Sequence, residues 1–97
     1  MATFITLVNF TQKGIEDIKN GPKRLDAAKE LARSMGGELK EFYLTMGRYD
    51  AVVITEAPNA ETAMKANIAT AMRGNVRTET LTAFPEEEYR KIISELP

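Results

Sequence analysis

The chain has 97 residues, and its 13 basic and 14 acidic side chains leave a net charge of −1. That length suits one folded unit over residues 1–97, and the balanced charge, with no Lys or Arg cluster, argues against nucleic-acid or membrane-surface partners. There is no Cys and no His, which removes disulfides, thiolate chemistry, the commonest metal ligand and the commonest general base.

No apolar run approaches the roughly 18 residues of a membrane span. The N-terminus lacks a basic region followed by an apolar segment and a small-residue cleavage site, so a cytoplasmic location is expected.

Thr3 to Phe10 reads as the first strand, with Ile5 and Leu7 on one face and Phe4, Val8 and Phe10 on the other. Thr11 fits the N-cap of a short helical segment carrying Ile15 and Ile18. Asn20-Gly21-Pro22 breaks it, and proline at a first turn starts a new helix from about Pro22 to Met35. Leu25, Ala28, Leu31, Ala32 and Met35 give that helix its apolar stripe, and Gly36 supplies a left-handed cap.

Glu38 to Met46 is predicted as the second strand, with Phe42, Leu44 and Met46 on one face and Leu39, Tyr43 and Thr45 on the other. Met46-Gly47-Arg48 then makes a tight hairpin into a third strand centred on Ala51 to Ile54. Its β-branched run Val52-Val53-Ile54 is bounded by Gly47 and Pro58 too closely for a helix. Asn59 caps a second long helix, whose expected buried stripe is Ala60, Ala63, Met64, Ile68, Ala71 and Met72. Gly74 ends it, and Val76 to Phe84 is a threonine-rich fourth strand. Pro85 starts a C-terminal helix with Glu86, Glu87 and Glu88 in its first turn and Tyr89, Ile92, Ile93 and Leu96 on one face. Met35, Met46, Met64 and Met72 stand at core spacings and read as filler.

The order is βαββαβ with an extra C-terminal helix. The class is therefore α+β, a ferredoxin-like sandwich with a four-stranded antiparallel sheet and two helices on one face. The other face of the sheet is left apolar and wants cover, which predicts a homodimer or higher oligomer.

Gly47-Arg48-Tyr49-Asp50, the run Val52 to Pro58, Gly74-Asn75-Val76-Arg77-Thr78-Glu79-Thr80, and Gly36-Gly37-Glu38-Leu39 together resemble the GYD domain family over nearly the whole chain. The resemblance implies a ferredoxin-like fold of the dimeric α/β-barrel type. It implies no established activity, and it marks Gly47, Tyr49 and Asp50 as the positions that name the family.

Tyr49 and Asp50 each have a structural and a functional reading, and Gly47 has a structural one that suffices. Gly47 fits a turn that needs positive φ. Tyr49 fits a half-buried phenol at a rim, or a proton donor in a cavity. Asp50 fits a turn residue that bonds local backbone, a partner for Arg48 or a neighbouring basic residue, or a base. Strand alternation groups Tyr43 and Tyr49 opposite Phe42, Leu44, Val52 and Ile54, which are expected to face the helices. Arg77 and Glu79 share a face of the fourth strand. If those faces look away from the helices, then Tyr43, Tyr49, Arg77 and Glu79, with Asp50 at the mouth and Asn9 nearby, would border a polar space between two sheets. The plain alternative is an interface set of hydrogen bonds and ion pairs.

No metal site is predicted, because three successive helical acids fan around the axis. Gly36-Gly37 follows a helix, so it is not a phosphate cradle. No cofactor can be assigned. The partners expected are further copies of the chain and a small molecule. The functions left open are a small-ligand-binding or interaction module, a cofactor-independent oxygenase- or isomerase-like enzyme with its site between the sheets, and a purely structural assembly protein.

Overall fold

The structure, a computed structural model, describes residues 1–97. Its elements are β1 (Ala2–Phe10), α1 (Gln12–Glu16), a 3-10 turn (Ile18–Asn20), α2 (Gly21–Ser34), β2 (Glu38–Leu44), β3 (Ala51–Ala57), α3 (Ala60–Ala71), β4 (Val76–Ala83) and α4 (Glu86–Ser94). The four strands form one antiparallel sheet in the order β2-β3-β1-β4. The sheet is open and does not close into a barrel. The two longest strands of the chain, β1 and β4, pair from Thr3↔Ala83 to Phe10↔Val76.

The caps fall where side-chain chemistry puts them. Thr11 Oγ1 accepts from Gly14 N at 3.2 Å, and Asn59 Oδ1 accepts from Thr62 N at 2.8 Å. Gly36 takes φ 81° after α2. The end of α3 is tied to α1, since Thr11 Oγ1 donates to Gly74 O and Lys13 Nζ donates to Arg73 O at 2.7 Å. A cation there also complements the negative end of the helix. Gly14 is buried against the Asn75 carbonyl, and a Cβ at that position would collide with it.

Phe4, Ala57 and Ala63 form the centre of the core beneath the helices. Thr6 is buried beside them. Its hydroxyl meets Thr80 Oγ1 at 3.1 Å, and Asn67 Nδ2 donates to that same Thr80 oxygen at 2.8 Å. The polar group is thereby satisfied.

Three expectations are corrected. First, β2 ends at Leu44 and β3 begins at Ala51, so the hairpin connection around Gly47 is longer than a tight turn. Gly47 does take φ 109°, with open space around it.

Second, Val52 and Ile54 do not face the helices. Cross-strand pairs Phe4↔Thr55, Thr6↔Val53 and Val8↔Ala51 put Ala51, Val53, Thr55 and Ala57 on the helix side. Both faces of this strand are apolar, so alternation cannot choose between them. The small Ala51 and Ala57 go where packing is tightest, and both are buried.

Third, α3 is rotated from the expected stripe. Ala63 is buried, but Met64, Ile68 and Met72 are exposed, Met72 by 80%. The small or polar Ala63, Ala66, Asn67 and Thr70 turn inward, where Asn67 donates to Thr80 Oγ1. Of the methionines read as filler, only Met35 is half-buried, and Met46 is 99% exposed.

The sequence leaves open whether α4 packs on its own chain, and the structure shows it standing off. Every residue from Phe84 to Pro97 is exposed. The radius of gyration is 14.6 Å, against about 12.5 Å for a compact chain of this length. The longest dimension is 52 Å and the shortest 17 Å.

Candidate functional site

The open face of the sheet can be read row by row from the register. One row runs Tyr43, Val52, Leu7, Glu79 from edge to edge, and the next runs Glu41, Ile54, Ile5, Leu81. Asn9 pairs with Arg77 in a third row. The middle of the face is thus an aliphatic strip of Ile5, Leu7, Val52, Ile54 and Leu81, and its borders are polar. Lys40 lies between Glu38 and Glu56, at 3.8 and 3.9 Å.

Tyr43, Arg77 and Glu79 do lie on this face, as alternation implies, but they lie on its two edge strands. Three strand spacings separate them, about 14 Å in all. Tyr43 is exposed, and its nearest polar partner is Glu41 Oε2 at 3.4 Å. Within one copy these three side chains do not converge.

Tyr49 and Asp50 belong to the loop between β2 and β3, so strand alternation does not place them. Asp50 bonds backbone on two sides. Its carboxylate Oδ2 accepts from Phe10 N at 2.9 Å, and its own N–H donates to Val8 O at 2.8 Å. Its carbonyl accepts from Thr45 N at 2.9 Å. Thr45 Oγ1 donates to Tyr49 O at 2.8 Å. The Arg48 guanidinium stands 5.5 Å from the centre of the Tyr49 ring, a cation–π distance. The Gly-Arg-Tyr-Asp segment therefore closes the hairpin and fastens it to β1.

A family model for the GYD domain matches residues 4–93. This chain belongs to the GYD domain family. A Thermus thermophilus relative of the GYD chain is 38% identical over 86 residues, covering 88% of this chain and 90% of the relative. That relative is named glutamine synthetase and cystathionine beta-lyase binding protein. Among solved structures, the AldR protein superposes with a TM-score of 0.67 at 11% identity. The match covers 86% of the GYD chain and 51% of AldR, so the chain spans about half of that protein. A solved Thermus thermophilus protein superposes with a TM-score of 0.55 at 24% identity, over 87% of this chain and 94% of the other. At those identities the likeness concerns the fold.

Two features of the GYD chain are not reached by sequence reasoning about sites. One is the outward stripe Met64, Ile68 and Met72 on α3. The other is a cleft of about 450 Å³ between the sheet and the helices α2 and α3. The signal for both was present in α3, whose large apolar residues recur every fourth position while small ones fill the other side. Only the rotation of the helix decides which side is buried. No helix is long and apolar enough to cross a membrane.

Proposed function

We propose that this GYD chain is a non-enzymatic interaction module that docks on partner proteins and on copies of itself. The observation that carries the reading is α4, an amphipathic helix with Tyr89, Ile92 and Ile93 exposed on its own chain, as is Leu96 just beyond it. Leaving such a stripe in water is costly, and helix-in-groove recognition uses this spacing of anchors. The relative named for binding two enzymes supports protein partners as the class. Enzymes of amino-acid metabolism are the partners we propose.

Self-association goes through the open face. Ile5, Leu7, Val52, Ile54 and Leu81 make an aliphatic centre with a polar border, the layout of a protein interface. Stacking two sheets would supply the second wall that Tyr43, Arg77 and Glu79 lack in one copy. Any small-molecule contact by those residues, with Tyr49 and Asp50 at the loop end, is proposed for that paired state.

The test is calorimetric titration of the purified chain into purified glutamine synthetase and cystathionine beta-lyase from the same source. Saturable binding that is lost in the I92D/I93D variant is expected. Absence of heat with both enzymes, or binding unchanged by the double variant, overturns the reading.

A further inference from the structure

We infer that the cleft between the sheet and the helical layer is a binding site for an elongated apolar molecule that ends in a single carboxylate, such as a medium-chain fatty acid. The cleft exists because of how α3 is rotated. Ala66, Asn67 and Thr70 face the sheet and are too small to fill the space, while Met64, Ile68 and Met72 point outward. Opposite them, Val8, Phe10 and Val53 of the sheet, Phe42 of β2, and Leu25 and Leu31 of α2 make apolar walls. A volume of about 450 Å³ is within the range of about 300–1,000 Å³ that holds small-molecule ligands.

The charge of the lining selects the ligand. The chain as a whole is balanced, with 13 basic and 14 acidic residues. Yet no Asp, Glu or Lys lines the cleft, and its only charged side chains are Arg24 and Arg73. Arg24 is already occupied, with Nη1 3.1 Å from Asp17 Oδ2 and Nη2 donating to Gly14 O at 3.3 Å. The Arg73 guanidinium takes part in none of the ion pairs of the chain. An apolar cleft whose lining includes Arg73, the one lining cation outside the ion pairs, matches a long apolar body with one anionic head, and a guanidinium can pair a carboxylate through two parallel hydrogen bonds. An amine or a dianion of the same length has no matching partner there. This site is separate from the α4 stripe and the open face, so it does not depend on their roles.

Decanoate and decylamine, each titrated into the full chain by calorimetry, test the assignment. Decanoate should bind as one equivalent per chain, and decylamine should be at least about tenfold weaker, roughly 1.4 kcal/mol. Arg73→Gln should bring decanoate down to the level of the neutral alcohol decanol while leaving decanol unchanged. Ala28→Phe, which fills the cleft from α2, should abolish binding of all three. Because a filled cleft can also unfold a chain, its circular dichroism and melting are compared with those of the parent protein. A folded A28F chain that still binds decanoate overturns the proposal. So does equal affinity for acid and amine, or no binding of decanoate to the full chain. If the A28F chain does not fold, Arg73→Gln decides alone, and an unchanged preference for the acid overturns the proposal.

Discussion

The carboxylate of Asp50 accepts the main-chain N–H of Phe10 at 2.9 Å, across forty residues of sequence. At that point the β1–β3 ladder has already ended at Val8↔Ala51, and a side chain takes over the role of the next backbone acceptor. Asp50→Ala should therefore leave the Phe10 N–H without its partner and cost about 1–3 kcal/mol. Asp50→Asn keeps a neutral acceptor and should cost less. Urea denaturation of the three proteins checks the order, and an alanine variant as stable as the parent would show that water replaces the bond.

Gly14 predicts a different kind of failure. A methyl group there meets the Asn75 carbonyl, which is backbone held by Thr11 N at 3.0 Å. Gly14→Ala should destabilise the chain by about 1–3 kcal/mol through forced displacement of α1. Gly47→Ala faces no collision, because the space around it is open and only its φ of 109° resists. Its cost should be about 1–2 kcal/mol. The two variants are compared by thermal and urea melts, and a tolerated Gly14→Ala would mean α1 is free to shift.

Ile54→Lys and Leu81→Glu place charges in the aliphatic strip of the open face. Each substitution should dissociate the oligomer while leaving the far-ultraviolet circular dichroism unchanged, because neither side chain lies under the helices. Sedimentation velocity at micromolar protein reads the outcome. A specific assembly should bury at least roughly 1,200 Å² in total, and a parent protein that sediments as a monomer would remove the basis of this prediction.

Removal of residues 85–97 should barely change the intrinsic stability of one chain, by no more than about 0.5 kcal/mol, because α4 touches little of it. Partner binding should be lost instead. Denaturation curves and enzyme titrations on the truncated chain separate the two effects.

Much of the fold was legible because local rules agreed with one another. Thr11 and Asn59 cap where short oxygen-bearing side chains cap, Gly36 sits at positive φ, and the βαββαβ order leaves one sensible sheet. Tyr43, Arg77 and Glu79 do share one face, but Leu81 and Ala83 stand beside Arg77 and Glu79, so the fourth strand alone leaves either of its faces free to look away from the helices. The separation of Tyr43 from Arg77 and Glu79 could not be seen, because strand order decides it, and β2 and β4 are opposite edges. Val52 and Ile54 were illegible for a simpler reason, since a strand apolar on both faces carries no polarity to orient it. The periodicity of α3 separates its large residues from its small ones but does not say which side is buried, and the side that carries Asn67, bonded to Thr80, is the inward one.

The stand-off of α4 makes its burial a bimolecular event. Its tyrosine, isoleucines and leucine leave water only when another molecule arrives, so occupancy follows mass action and not an internal folding equilibrium. On the proposed reading, the share of chains with a covered arm rises with the concentration of the partner protein, and a dilute chain carries its arm vacant.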